Sequence, residues 1–387
     1  MRRIGIWLGR GLLALVLAAA VVGFFKREEL ARLHAVLTLF DEDRIVGNFS
    51  AMDRSFATVP VERGDGPTSV LPYGAETELP SQVAQWVEAR AVTSLLVMKD
   101  GEIRFEDYYL GTGPDDRRIS WSLAKSYLSA LFGVLLDQGA IGGLDDPVTR
   151  YAPQLAGTAY DGASIRNVLN MASGVRFDED YLDFNSDINR MGRVVALGGT
   201  LDDFTASFTE RFAPPGTDWH YVSIDTHVIG MVIRGATGRT IPDLMSEHVV
   251  QPLGLERDGY YITDGAGVAF VLGGLNFTTR DYARFGQMIL QNGRYGGRQV
   301  VPAEWIAAAT AASAPTDPGA IGYGYQWWVP KGAGPGQFLA RGVYGQYIYF
   351  DQPRGVLIVT TGADRGFRQP GVHEANMEIF RLIAESL

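Results

Sequence analysis

The stretch I119-S-W-S-L-A-K-S-Y-L-S-A-L-F-G133 carries one of only four lysines in the chain, against 30 arginines. Helix-forming residues run over 122–137, and Gly139 supplies the expected glycine stop. Leu123, Tyr127, Leu128, Leu131, Phe132, Val134 and Leu135 spread round most of this helix, so the pattern predicts burial on nearly every side. Ser122 stands at its start and Lys125 one turn on, on the same face. Apolar burial and the positive helix N-terminus both disfavour an ammonium ion there. A neutral amine beside a serine hydroxyl is a general base beside a nucleophile, and the first-turn serine N–H is free to donate to an oxyanion. Arginine, always protonated, could not accept the proton. The other reading of Lys125 is a structural charge paired with a buried carboxylate. A single S-x-x-K arises readily by chance, so the motif needs support from elsewhere in the chain.

The chain as a whole narrows the chemistry. At 387 residues, 46% apolar and 20% charged, it has material for a large core, and a net charge of −10 argues against a nucleic-acid partner. With no cysteine there is no disulfide, thiolate nucleophile or thiolate metal site. The five histidines (His34, His220, His227, His248, His373) show no H-E-x-x-H or other ligand spacing, so neither metal nor cofactor is expected. There is no G-x-S-x-G, which excludes the α/β-hydrolase nucleophile elbow.

The N-terminus begins M-R-R, and after Arg10 runs 15 residues, 11–25, without a charge. This reads as an uncleaved membrane anchor over residues 1–27. The alternative is a signal peptide cleaved at the A-x-A formed by Ala18 and Ala20. Arginines before the span place the remainder outside the cytoplasm, so the expectation is an exported domain on a single-pass inner-membrane anchor. Residues 28–79 read as an arm or linker, and the body begins near residue 80.

In that body, 93–99 and 102–108 form a predicted hairpin around Asp100-Gly101, a pair suited to a two-residue turn of positive φ. Residues 120–290 read as mostly helical. Three strands are expected at 337–341, 346–350 and 356–361, followed by an amphipathic helix from Val372. Strands at both ends with helices between predict an α+β fold. It would have one antiparallel sheet, flanked by N- and C-terminal helices, with an inserted helical lobe.

S122-L-A-K125 resembles the nucleophile motif of the serine β-lactamase and penicillin-binding-protein superfamily. Y221-V-S223 lies where that superfamily carries Tyr-x-Asn or Tyr-x-Ser, and A340-R-G342 where it carries Lys-Thr-Gly or His-x-Gly. The similarity runs from about residue 85 to the C-terminus. I165-R-N-V-L-N-M-A-S-G174, G273-G-L-N-F-T-T-R-D-Y-A-R-F-G286 and G322-Y-G-Y-Q-W-W328 look most like the class C-related branch, in particular the 6-aminohexanoate-dimer hydrolases and related esterases.

The resemblance implies Ser122 as acylated nucleophile, Lys125 as proton acceptor and Tyr221 as proton shuttle, its phenolate favoured by Lys125. It implies an oxyanion hole from the N–H groups of Ser122 and Val343. It implies Tyr181 over the substrate, with Ser223, Arg341, Gly342 and Trp327 around it. Taken alone, Tyr221 and Trp327 are equally core aromatics, and Ser223 equally a helix N-cap. The third motif lacks its usual cation unless Arg341 turns inward, and Ser223 stands where β-lactamases prefer asparagine. Both departures favour small esters or amides over β-lactams or D-alanyl peptides. The alternatives are a catalytically silent relative binding cell-envelope peptides, or a D-alanyl peptidase or β-lactamase.

Overall fold

The computed structural model describes residues 2–387. Asp100 and Gly101 take φ of 52° and 87°, the turn geometry their side chains permit, and they close the hairpin Val92–Lys99/Glu102–Tyr108. That hairpin is one edge of a seven-stranded antiparallel sheet. Beyond it follow, in spatial order, Val356–Gly362, Gln346–Asp351, Gln337–Gly342, Trp327–Val329 and Gly322–Gly324. The two ends of the body are thus joined in one sheet, and the fold is α+β.

Alternation along the central strands divides two cores. Leu95, Val97, Tyr349 and Ile358 face the helices Gln82–Ala89 and Val372–Glu385. Leu96, Met98, Ile348, Leu357 and Val359 face the larger core, which holds the helices Ala124–Asp137 and Thr279–Leu290. The first of these is buried from Ala124 through Leu135, as its all-round apolar pattern requires, and Gly139 takes φ 75° just past its end.

The 120–290 region differs from expectation. Alongside its helices it contributes Gly259–Ile262 and Leu275–Phe277 to a second antiparallel sheet of four short strands, completed by Thr58–Val61 and Arg118–Ile119. These strands have two to four residues, too few for an alternating pattern to stand out against the surrounding helices. Residues read as an arm are folded onto the body: Leu39, Ile45, Phe49, Met52, Phe56 and Val61 are buried in the main core. Their apolar positions follow no single period, which is why they read as irregular chain.

The N-terminal segment requires a correction. Residues Arg2–Phe25 form a helix, yet among the described residues no helix is long and apolar enough to cross a membrane. The uncharged run of 15 residues rises only about 22 Å, against a hydrocarbon core of about 30 Å, and Arg10 sits inside the helix ahead of it. The single-pass anchor, the inner-membrane partner and the placement outside the cytoplasm that followed from them are therefore not supported.

Candidate active site

Ser122 lies in a single 3₁₀ turn, Trp121–Leu123, which the strand Arg118–Ile119 feeds directly into the buried helix. The N–H of Ser120 donates to the Leu275 carbonyl at 2.8 Å, tying the turn to the four-stranded sheet. Trp121 is held at φ 44°, a left-handed conformation that an aromatic residue adopts only under constraint. The constraint is visible in its ring, which packs on Phe40 and Phe49 from the N-terminal segment.

Lys125 is 1% exposed. Its Nζ lies 3.2 Å from Ser122 Oγ and donates to the Leu272 carbonyl at 2.7 Å. Burial lowers its pKa to about 7, opposed by the negative charge of Glu179. Near neutrality the side chain therefore exists as free amine and ammonium in comparable amounts. Tyr221 moves the other way. Burial raises its phenol well above the ordinary value, the charge of Glu179 adds to this, and a hydrogen bond from Ser122 offsets it only in part. Burial and the Glu179 charge thus favour the neutral phenol over the expected phenolate in the resting site. Lys125 Nζ lies 5.6 Å from the centre of the Tyr221 ring, so all three side chains converge.

The third motif reaches the site through its glycine. The strand Gln337–Gly342 passes so close to the Ser122 turn that a Cβ at position 342 would collide with the Ser120 carbonyl oxygen. Only glycine allows this approach, and it brings Val343 beside Ser122, where both line the same two cavities. Arg341 turns into the open cleft and lies 5.5 Å over Trp328.

Trp327 does not reach the site. It is 0% exposed and packs among Phe285, Phe338 and Phe350. Adjacent strand residues point to opposite faces, and it is Trp328 that faces the cleft, stacked on Tyr221 at 5.1 Å. Ser223 is the first residue of the helix Ser223–Thr237 and not its cap.

Glu179 escaped the sequence reading. Its carboxylate accepts the Ser223 N–H at 3.0 Å, the Ser223 hydroxyl and the Tyr181 hydroxyl at 2.6 Å. It thus satisfies an open donor at the helix N-terminus, where negative charge is favoured, and joins Tyr181 to Ser223 across 42 residues of chain. The only signal was a carboxylate two residues before Tyr181, in a segment rich in carboxylates.

Two spaces meet at Ser122. One is an open cleft of about 320 Å³ lined by Glu179, Tyr221, Trp328, Arg341 and Arg368. The other is an apolar cavity of about 120 Å³ on the side of the N-terminal segment. Among the described residues, no group of three or more histidines and carboxylates is placed to hold a metal ion.

A buried lysine beside a serine at a helix start, a tyrosine over both and a glycine strand alongside are the parts of a serine acyl-transfer site. Residues 82–374 match the Beta-lactamase family model. The chain is 30% identical over 329 residues to the 6-aminohexanoate-dimer hydrolase of Paenarthrobacter ureafaciens, a match covering 80% of this chain and 83% of that protein. It is 32% identical over 131 residues to esterase EstB of Burkholderia gladioli, covering 30% of this chain and 32% of the esterase. Among solved structures, a Bacillus anthracis protein provisionally described as a 6-aminohexanoate-dimer hydrolase superposes with a TM-score of 0.80. Identity there is 22%, over 90% of this chain and 95% of that one. The chain belongs to the β-lactamase family of serine hydrolases.

Proposed function

We propose that the protein hydrolyses small esters or amides through an acyl-enzyme on Ser122. The observation that carries this reading is the buried Lys125 amine, 3.2 Å from Ser122 Oγ and partly discharged near neutral pH. With one N–H given to the Leu272 carbonyl, the neutral amine keeps its lone pair for the serine proton.

Ser122 Oγ attacks the substrate carbonyl carbon as its proton passes to Lys125. The negative oxygen is stabilised by the N–H groups of Ser122 and Val343. When the tetrahedral adduct collapses, the bond to the leaving oxygen or nitrogen breaks. That atom takes up the proton from Lys125 by way of the Tyr221 hydroxyl. Water then repeats the sequence on the acyl-enzyme, releasing the acid and restoring the Ser122 hydroxyl. Because the Tyr221 phenol holds its proton tightly, it serves as relay and donor, and Lys125 as the resting base. Tyr181, held by Glu179, faces the bound substrate.

The 6-aminohexanoate dimer in the name of the Paenarthrobacter relative, and the ester in that of the Burkholderia one, set the two arms of a substrate panel. The decisive experiment is labelling of the full chain with a fluorophosphonate, followed by peptide mapping. One label at Ser122, absent in Ser122→Ala, is the expected result. A folded protein that takes no label, or takes it at another serine, is a binding protein or an enzyme of different mechanism.

A further inference from the structure

Tyr221 lines the open cleft and does not border the apolar cavity. If Tyr221 delivers the leaving-group proton, the leaving group must lie in the cleft. The acyl portion, on the other side of the carbonyl carbon, then points into the cavity. We infer that this cavity is an acyl-chain site, and that the preferred substrates carry an unbranched apolar acyl group of about four to six carbons. The inference rests on the acyl-enzyme reading of Ser122.

The cavity is built for such an occupant. Leu39, Met52 and Phe56 line it from the N-terminal segment, Met191 and Val195 from the helix Asp187–Ala196, and Leu272 beside Lys125, whose amine donates to its carbonyl. The polar side chains on its lining are Ser122, Tyr181, Ser223 and Asn189, and the Asn189 amide N–H groups are already given to the Asp180, Tyr181 and Asp183 carbonyls, so the cavity offers water few partners. The volume of about 120 Å³ is somewhat below the ~150 Å³ of an apolar cavity known to take up benzene, which sets the upper limit near six carbons. Leu39, Met52 and Phe56 come from residues before 82, outside the segment that matches the family model, while the rest of the lining named here comes from within it.

Gly192 gives a clean test. It lies within the helix Asp187–Ala196 and borders the cavity, and a Cβ there would meet nothing within 4 Å. Gly192→Leu should fill the space without disturbing the fold, and Met52→Ala should enlarge it. The measurement is kcat/KM on p-nitrophenyl acetate, butyrate, hexanoate and dodecanoate, with melting temperature and fluorophosphonate labelling on each protein. Each buried methylene is worth about fourfold. Wild type should therefore gain tenfold or more from acetate to butyrate or hexanoate, and fall at dodecanoate. Gly192→Leu should lose at least tenfold on hexanoate and stay within about threefold on acetate, while Met52→Ala moves the optimum to longer chains. A flat wild-type series, or a Gly192→Leu loss equal at every length in a protein that still labels at Ser122, overturns the acyl site and leaves the hydrolase reading standing. Loss of labelling in the wild type overturns both.

Discussion

Trp121 and Tyr344 both hold left-handed backbone, at φ 44° and 62°, and their rings lie 6.2 Å apart over the same two phenylalanines. Phe40 stacks on Tyr344 at 4.8 Å and touches Trp121 at 5.7 Å, while Phe49 meets the two rings at 5.5 and 5.3 Å. Trp121 immediately precedes Ser122, and Tyr344 immediately follows Val343. The two unfavourable conformations thus flank the two proposed oxyanion donors, and one aromatic cluster holds both in place.

Phe49→Leu should therefore impair chemistry without touching substrate. Phe49 is fully buried, and the swap keeps most of its apolar bulk, so a stability loss of about 1–2 kcal/mol is expected. With the ring contacts gone, the N–H pair loosens and kcat on an acetyl ester should fall about tenfold, with KM within about threefold. A melting curve with steady-state kinetics checks this. An unchanged kcat in a destabilised protein would mean that the cluster supports the fold alone.

Lys125→Arg keeps the charge and removes the proton acceptor. Transfer to a positioned base is worth roughly 10²–10⁴-fold, so kcat/KM should fall by that order in a folded protein. In the wild type, kcat/KM should rise as pH increases through about 7, where the buried ammonium gives up its proton. An acidic limb that stays put in a variant lacking Lys125 would belong to another group.

The same residue predicts a stability cost. Its pKa is about 7 folded and 10.5 as an ordinary lysine, so between these values the unfolded chain binds more protons than the native one. Native stability accordingly falls as pH drops from 10.5 to 7, and the penalty is complete below 7. Lys125→Met should be inactive and more stable than wild type, with the gain largest below pH 7 and shrinking towards pH 10. Urea denaturation at pH 6 and 9.5 reads the difference. A gain independent of pH would show that lost charge burial is not its source.

Glu179→Gln separates charge from geometry. The carboxylate raises the pKa of Lys125 against burial, so its removal should move the acidic limb of kcat/KM to lower pH. The Gln oxygen still accepts from the Ser223 N–H, and the melting temperature should fall only slightly. Glu179→Ala leaves that N–H and the Tyr181 hydroxyl without their partner, and should cost more stability and more activity. A limb moving to higher pH in Glu179→Gln would reverse the assigned sign.

What could be read in advance followed from how local each feature is. Ser122 and Lys125 are three residues apart on one helix, so their meeting needs nothing beyond helical geometry. The turn at Asp100-Gly101 carries its own conformational preference. The pairing of Glu179 with Ser223 spans 44 residues and depends on how a loop crosses a helix end, which no periodicity encodes. Trp327 and Trp328 are adjacent, and choosing between them requires knowing which face of their strand meets the cleft. The N-terminal segment misled in a different way. Its uncharged run resembles a membrane span in character but not in extent, and the aromatic residues that follow it, Phe40 and Phe49, gave no sign of reaching Trp121 beside Ser122.

The wall formed by Leu39, Met52 and Phe56 has a consequence for how such a protein diversifies. These residues share no helix or strand with Ser122, Lys125 or Tyr221, and lie before residues 82–374, which match the family model. Mutation there can resize the cavity while leaving the catalytic apparatus intact, so what the enzyme accepts and how it reacts are separately heritable. Point changes at Leu39, Met52 or Phe56 can thus shift the preferred acyl length as a separate trait, whereas exchange of the whole segment would also replace Phe40 and Phe49, which brace Trp121 and Tyr344.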